Sequence, residues 1–345
     1  MFLQDTQEII KLMQEIEADS STNMEEVQTI NAIIKDPKLA VNKINEYKGE
    51  GIRKFEFRPQ EWNQFVGQEE AKERAKTIIK KVKKGLKAHF LVDGIKGHGK
   101  TTFVELLAKD IDAHLIKRVG KQIDEDGLVD IINEINATDG KPIIFFVDEI
   151  DSMDWKVIKI LNPIIESFEI SGKKIRPFIF AGATINKHIL IKNNPDTLDR
   201  IPTHIKFKRY NANEIKTILK QYHKQLYKEY TISENVFDEL GKNCKFNPRT
   251  SIALLEEYIV EEDIQKVLKN CHIIKDGLTE IDIRLLKILS ESKRAMGCNS
   301  LAQKAGLAQN EYVREFEPYL VEYEYINRVP SRVITEKGLQ LLKEV

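Results

Sequence analysis

The 345-residue sequence predicts a parallel α/β sheet covered on both faces by helices, then an all-helical segment, then a helix-turn-helix with a wing. Three observations lead there. First, short apolar runs, HFLVDG (89–94), KPIIFFVDE (141–149) and RPFIFAGAT (176–184), alternate with helical patterns. Apolar strands separated by helices are the mark of a parallel sheet buried on both sides. Second, residues 211–275 read as helices only. Third, from about Leu278 short helices lead into a pair of strands.

Composition narrows the class. Fifty-four Lys and Arg balance 54 Asp and Glu, charged residues make up 31% and hydrophobic ones 41%. That balance excludes a strongly basic nucleic-acid coat and an acidic disordered tail, and leaves enough apolar residues for real cores in two or three domains. Zero net charge does not exclude DNA binding, which depends on where the charges sit. Cys244, Cys271 and Cys298 are far apart and odd in number, which argues against a disulfide framework and for a reducing compartment. No apolar run approaches the ~20 residues of a membrane span, and the N-terminus, MFLQDTQEII, has acids where a signal peptide carries bases. The expectation is a cytoplasmic protein without a membrane partner.

The elements follow in order. Residues 1–50 carry an amphipathic pattern (Ile9, Ile10, Leu12, Met13, Ile16) and a second short helix broken at Asp36-Pro37; they read as an interaction arm for a protein partner or as packing decoration. Residues 69–88 form a long helix whose Lys80, Lys81, Lys83, Lys84 and Lys87 read as a phosphate-facing stripe or a solvated face. The strand–helix alternation then defines a large domain over 51–210, a helical lid over 211–275 and a winged helix over 276–345.

Two strand ends carry chemistry. Gly94-Ile95-Lys96-Gly97-His98-Gly99-Lys100-Thr101 fits GxxxxGK[ST] and lies between a strand and a helix, the context that motif requires. The glycines let backbone N–H groups turn toward phosphate oxygens, and the helix N-terminus adds a favourable dipole. Lys100 is expected to reach the β- and γ-phosphates of ATP, Thr101 to ligate Mg²⁺, and Thr102 to supply a second hydroxyl. The strand Ile143–Val147 ends in Asp148 and Glu149, which suits a carboxylate for the Mg²⁺ shell and a general base for the attacking water. Asp151 and Asp154 read as caps of the next helix. Thr184 ends a third strand, where a polar residue positions the lytic water.

With these segments in this order, the chain resembles an AAA+ ATPase, and more narrowly the RuvB family of Holliday-junction branch-migration motors. Phe57-Arg58-Pro59 with Phe65-Val66-Gly67-Gln68 resembles the family's adenine-pocket entry; GIKGHGKTT, FFVDEID and FAGAT resemble Walker A, Walker B and sensor 1; Asn247-Pro248-Arg249 resembles sensor 2. Glu317-Pro318-Tyr319-Leu320 and Asn327-Arg328-Val329-Pro330-Ser331-Arg332 resemble the winged-helix domain. The resemblance covers about residues 55–345. It implies that Phe57 and Arg58 contact the base side of the nucleotide, that Arg249 touches the γ-phosphate from the lid, and that Arg200 of Asp199-Arg200 is an arginine finger reaching a neighbour's ATP in a hexameric ring. The plain alternative for Arg200 is a surface salt bridge. Arg328 and Arg332 at the wing are the expected DNA contacts, although winged helices also bind proteins.

The sequence also departs from the family. Only Phe168–Arg176 fills the place of a long partner-docking hairpin, which counts against a RuvA-like partner. Leu198 stands where another Arg is expected, Lys208 near a nucleotide-stacking Tyr, and Gln309 at a DNA-contacting Arg. The leading reading is a hexameric ATP-driven motor on duplex or four-way-junction DNA. A clamp or helicase loader and a nucleotide-gated scaffold are the alternatives; intact Lys100, Asp148 and Glu149 speak against the scaffold.

Overall fold

A computed structural model describes residues 57–185, 187–292, 294–328 and 331–345; the expected N-terminal arm lies outside them. The chain divides into two units, Met1–Arg58 and Pro59–Val345. The sheet, the helical lid and the winged helix all belong to the second.

Its centre is a five-stranded sheet formed by β1 (Phe90–Asp93), β2 (His114–Val119), β3 (Ile143–Asp148), β6 (Ile179–Thr184) and β7 (Thr203–Lys206). The strand order is β2-β3-β6-β1-β7, with every pairing parallel. The run IIFFVD shows why no polar alternation marks these strands. Phe145 and Val147 enter one apolar layer while Ile144 and Phe146 enter the layer on the other face, as the two-residue side-chain period requires. Helices α1 (Glu69–Lys83) and α2 (Lys100–Asp110) cover one face through Ala71, Ala75, Ile78, Phe103 and Leu107. Helices α3 (Glu125–Ala137) and α4 (Trp155–Ser167) cover the other through Leu128, Ile131, Ile135, Ile158, Leu161 and Ile165, at three- and four-residue spacing.

After α4 comes a hairpin of two-residue strands, β4 (Glu169–Ile170) and β5 (Lys173–Lys174), joined by Ser171 and Gly172, both left-handed. This is the turn geometry that suits strand twist. Short helices α5 (Lys187–Asn193) and α6 (Pro195–Arg200) precede β7. The helical part follows as α7 (Ala212–Leu226), α8 (Glu234–Lys242), α9 (Pro248–Glu261) and α10 (Ile264–Asn270). A hairpin of β8 (Ile273–Lys275) and β9 (Leu278–Thr279) crosses the domain boundary expected at residue 276. The winged helix contains α11 (Glu280–Glu291), α12 (Cys298–Lys304), α13 (Gln309–Glu311), a π-helical turn at Tyr312–Phe316, and α14 (Glu317–Glu322). The wing strands β10 (Ile326–Asn327) and β11 (Val333–Ile334) pair antiparallel before α15 (Glu336–Glu344).

The helix expected over residues 69–88 ends at Lys83, and the lysines of that segment do not form one continuous stripe. The Lys81 ammonium lies 3.4 Å from the Thr203 hydroxyl, and Lys87 donates to the Glu166 carbonyl and sits over the Phe168 ring. Lys80, Lys83 and Lys84 stay exposed.

One buried polar residue ties the sheet to its cover. His89, 2% exposed, accepts the Phe180 N–H at Nδ1 (2.9 Å) and lies 3.0 Å from the Ile165 carbonyl through Nε2, so its neutral Nε2–H tautomer satisfies β6 and α4 together. Burial pushes its pKa down from 6.5 to about 4. The folded state therefore holds His89 neutral over a range where the unfolded chain takes up a proton. The stability it contributes is complete above pH 6.5 and is lost as pH falls toward about 4. The loss reaches roughly 3 kcal/mol for a shift of this size. His98, also pushed down to about 4 by burial, adds to the same window. Urea-unfolding midpoints are expected to fall steeply between these pH values, and less steeply in a His89→Gln variant that is weaker at neutral pH. An equal slope in both proteins would remove His89 from this role.

Candidate nucleotide site

The sheet order brings the ends of β1, β3 and β6 to one carboxyl edge, where α/β sheets place their ligands. Asp93 is in register with Thr184, and Val147 with Gly182. The phosphate loop leaves β1 at this edge, and the Gly94 N–H donates to the Thr184 carbonyl (3.2 Å). Gly97 and Gly99 hold φ values of +83° and +88°. A Cβ at Gly97 would stand 2.6 Å from Asn247 Oδ1, so the loop has no room for a side chain there. Lys100, 7% exposed, donates to the Gly94 (2.6 Å) and Ile95 (3.0 Å) carbonyls. Burial lowers its pKa from the usual ammonium value, partly offset by Asp148, Asp93, Asp151 and Glu149.

At the foot of the loop, the Thr101 hydroxyl donates to Asp148 Oδ2 at 3.1 Å. The other Asp148 oxygen accepts the Glu149 N–H (3.0 Å). Glu149 is exposed and held at φ 52°, a left-handed conformation that is costly for a residue with a side chain. It turns the chain sharply at the strand end and leaves the carboxylate in the open. Thr102 lies one residue further into α2 and is half-buried.

The sequence reading assigned Asp151 and Asp154 the same capping role, and the structure separates them. Asp154 does cap α4, accepting the Lys156 N–H at 2.9 Å. Asp151 instead accepts the Thr184 hydroxyl at 2.6 Å. It links the ends of β3 and β6 and fixes the hydroxyl of the predicted water-positioning residue. Only its place two residues after Glu149 marked it in the sequence.

The lid side closes on the loop directly. Asn247 caps α9 by accepting the Arg249 N–H (3.0 Å), while its amide donates to the Lys96 carbonyl (3.0 Å). Arg249 is exposed in the first turn of α9, with its Cβ 3.0 Å from the position a Gly97 Cβ would take. The Tyr210 hydroxyl donates to the His98 carbonyl (3.2 Å). Gln68 donates to the Lys208 carbonyl (2.7 Å) and accepts its N–H (3.0 Å), so the segment expected at the adenine pocket also clamps the link between sheet and lid.

Of the other expected residues, Arg200, Arg328 and Arg332 belong to the second unit. Phe57 and Arg58 end the first unit of the chain. Arg200 closes α6 and makes an ion pair with Glu166 (2.9 Å) and a hydrogen bond to the Asp196 carbonyl (2.7 Å). Arg328 is exposed at the wing, and Val329 and Pro330 lie outside the described residues. Arg332 is not presented as the sequence suggested. Its Nε donates to Glu317 Oε1 at 2.6 Å, with Glu317 itself only 2% exposed and the Tyr312 hydroxyl on the same oxygen (3.1 Å). This guanidinium balances a buried carboxylate and holds the wing to α14; it is a poor candidate for a phosphate clamp.

The donor set fits a nucleotide with Mg²⁺. Gly97 and Gly99 turn the loop with positive φ values, a backbone course that lets N–H groups face phosphate oxygens. One hydroxyl and one carboxylate meet below it, and Mg²⁺ usually takes one or two protein carboxylates and completes its shell with phosphates and water. Among the described residues no group of three or more His, Cys, Asp or Glu side chains forms a protein-only metal cage.

Residues 57–190 match the model of the Holliday junction DNA helicase RuvB P-loop domain, and residues 275–343 match the RuvB C-terminal winged helix domain. The chain belongs to the RuvB-like family of AAA+ ATPases. Among relatives called Holliday junction branch migration complex subunit RuvB, that of Ureaplasma parvum is 28% identical over 310 residues, covering 84% of this chain and 97% of that protein. The Helicobacter hepaticus protein is 27% identical over 336 residues, covering 87% and 97%. The solved Thermotoga maritima RuvB branch migration motor superposes with a TM-score of 0.72 at 25% identity, over 83% of this chain and 98% of that one. These RuvB relatives are named as subunits of a branch migration complex.

Replacing Glu149 by Gln is expected to keep binding of a fluorescent ATP analogue within about two-fold and to lower turnover by about 10²-fold or more, the usual contribution of a general base. Turnover near that of the unaltered chain would move the base elsewhere.

Proposed function

We propose that the chain is an ATP-hydrolysing DNA motor that acts as a hexameric ring on duplex or four-way-junction DNA. The observation that carries this reading is the 3.1 Å contact of Thr101 with Asp148 under the phosphate loop, with the Glu149 carboxylate exposed beside it. Lys100 neutralises charge at the β- and γ-phosphates, and Arg249 approaches the γ-phosphate from the lid. Phe57 and Arg58 are assigned to the base side of the nucleotide. Glu149 takes the proton of the attacking water, which Thr184, fixed by Asp151, orients. Bound Mg²⁺ at Thr101 and Asp148 supplies charge neutralisation on the phosphate oxygens.

Arg200 is the residue offered to a neighbouring subunit. Its pair with Glu166 joins side chains 28% and 61% exposed, and a pair of that exposure holds only about 0–1 kcal/mol. Exchanging it for a transferring phosphoryl group is therefore inexpensive, and a trans arginine raises turnover by about 10³-fold or more. The winged helix carries DNA through Arg328, with Arg332 holding the wing in shape. The relatives' shared name favours a branch-migration complex with a partner subunit, and the β4–β5 hairpin is the place for that contact. Neither the family models nor these relatives favour a loader. Among the described residues no helix is long and apolar enough to cross a membrane, in keeping with a cytoplasmic place of work.

The test is an ATPase assay of the purified chain with single-stranded, duplex and four-way-junction DNA, alone and with a partner subunit. Stimulation by junctions with branch movement is expected. In the same assay, mixing Arg200→Ala with Lys100→Ala chains should restore part of the activity that each lacks. ATP turnover indifferent to every DNA would overturn the motor, and no recovery on mixing would overturn the trans role of Arg200.

A further inference from the structure

The lid grips the phosphate loop at two points, and the residue beside each grip is held by the winged helix. At the first point Asn247 donates to the Lys96 carbonyl (3.0 Å) and fixes the start of α9 at Arg249. The two residues before it point the other way. Lys245 makes a 2.6 Å ion pair with Asp282 of α11, a carboxylate with no exposed surface, and its ammonium lies 5.5 and 5.4 Å from the ring centres of Phe316 and Tyr319. Phe246 stacks on Tyr323, with centroids 5.4 Å apart and planes at 19°. At the second point the Tyr210 hydroxyl donates to the His98 carbonyl (3.2 Å). Its neighbour Arg209 is bound to Glu322 at the end of α14, lies over the Tyr319 ring (5.2 Å), and donates to the Lys245 carbonyl (3.2 Å).

The backbone between these contacts is strained. Lys245 and Phe246 both hold left-handed φ values, 52° and 54°, with side chains that disfavour them. Such a conformation persists where surrounding contacts over-determine it, and here the determining contacts come from the winged helix. If the winged helix shifts, Lys245 and Phe246 relax, and Asn247 is the next residue to move.

Building on the nucleotide reading above, we propose that Lys245-Phe246-Asn247, seconded by Arg209-Tyr210, is the linkage through which the seating of the winged helix sets the affinity of the phosphate loop for nucleotide. The residues are positioning residues: Phe246 and Tyr323 contact each other and act through Asn247. Linkage is reciprocal, so nucleotide binding steadies the winged helix by the same factor. A displacement of the wing by DNA is thereby felt at Lys96.

The test measures binding of a fluorescent ATP analogue to the full chain and to Phe246→Leu, Tyr323→Leu, the double variant and Phe246→Tyr, each checked by thermal melting. Both ring partners are only half-buried, so the variants are expected to fold. Each Leu variant should bind about five-fold more weakly. Tyr323 also stacks on Tyr319 (4.4 Å), so the double variant should bind no more weakly than Tyr323→Leu alone, because the Phe246–Tyr323 stack is already lost there. Phe246→Tyr keeps the stack and should restore affinity. Single variants with unchanged affinity, a double variant whose loss is the product of the two, or a Tyr variant as weak as Leu would each overturn the linkage. A starting chain that binds no analogue overturns the nucleotide reading and this inference with it; binding that ignores the substitutions overturns this inference alone.

Discussion

The contact between Thr101 and Asp148 is the constraint on which the rest of this molecule turns. The two residues belong to different elements, the first turn of α2 and the last residue of β3, and they meet only if the sheet runs in the observed order. β6 lies between β3 and β1, so the helix that begins after β1 must cross beneath β6 to reach the β3 end. Apolar residues on both faces of IIFFVD and IFAGAT keep that crossing rigid. A slip of one residue in β3 would turn Asp148 to the other face and part it from Thr101. The site is thus as well defined as the packing under it.

Much of this was legible because the signals are local. A glycine-rich loop between a strand and a helix, and a buried strand ending in two acids, each need only a few neighbouring residues to be recognised. The same holds for the order of apolar runs that defines the sheet. What escaped reading depends on partners far apart in the chain. Gln68 meets Lys208 across 140 positions, and Asp151 meets Thr184 across 33. Nothing in the sequence around Arg332 announces that a carboxylate fifteen residues earlier will be buried and will require it.

The balance of charge takes on a narrower meaning in this light. Several cations are committed within the molecule: Arg332, which the wing pattern offers to DNA, to Glu317, and likewise Lys245 to Asp282 and Arg209 to Glu322. They hold the wing together and fasten it to the lid. Arg328 at the wing and the exposed Lys80, Lys83 and Lys84 are among the charges that remain for an outside partner. On the proposed linkage the winged helix belongs with the nucleotide machinery, because its packing reaches residues adjacent to those that touch the phosphate loop.

The most direct measurement of the central contact is the Mg²⁺ dependence of nucleotide affinity in the unaltered chain and in Asp148→Asn. Asparagine keeps the shape and can still accept the Thr101 hydrogen bond, but it removes the charge that a hard cation requires. The account predicts that Mg²⁺ tightens binding of the ATP analogue to the unaltered chain and does so several-fold less in Asp148→Asn, while affinities measured without Mg²⁺ stay alike. An undiminished Mg²⁺ effect in the variant would contradict it and place the cation elsewhere.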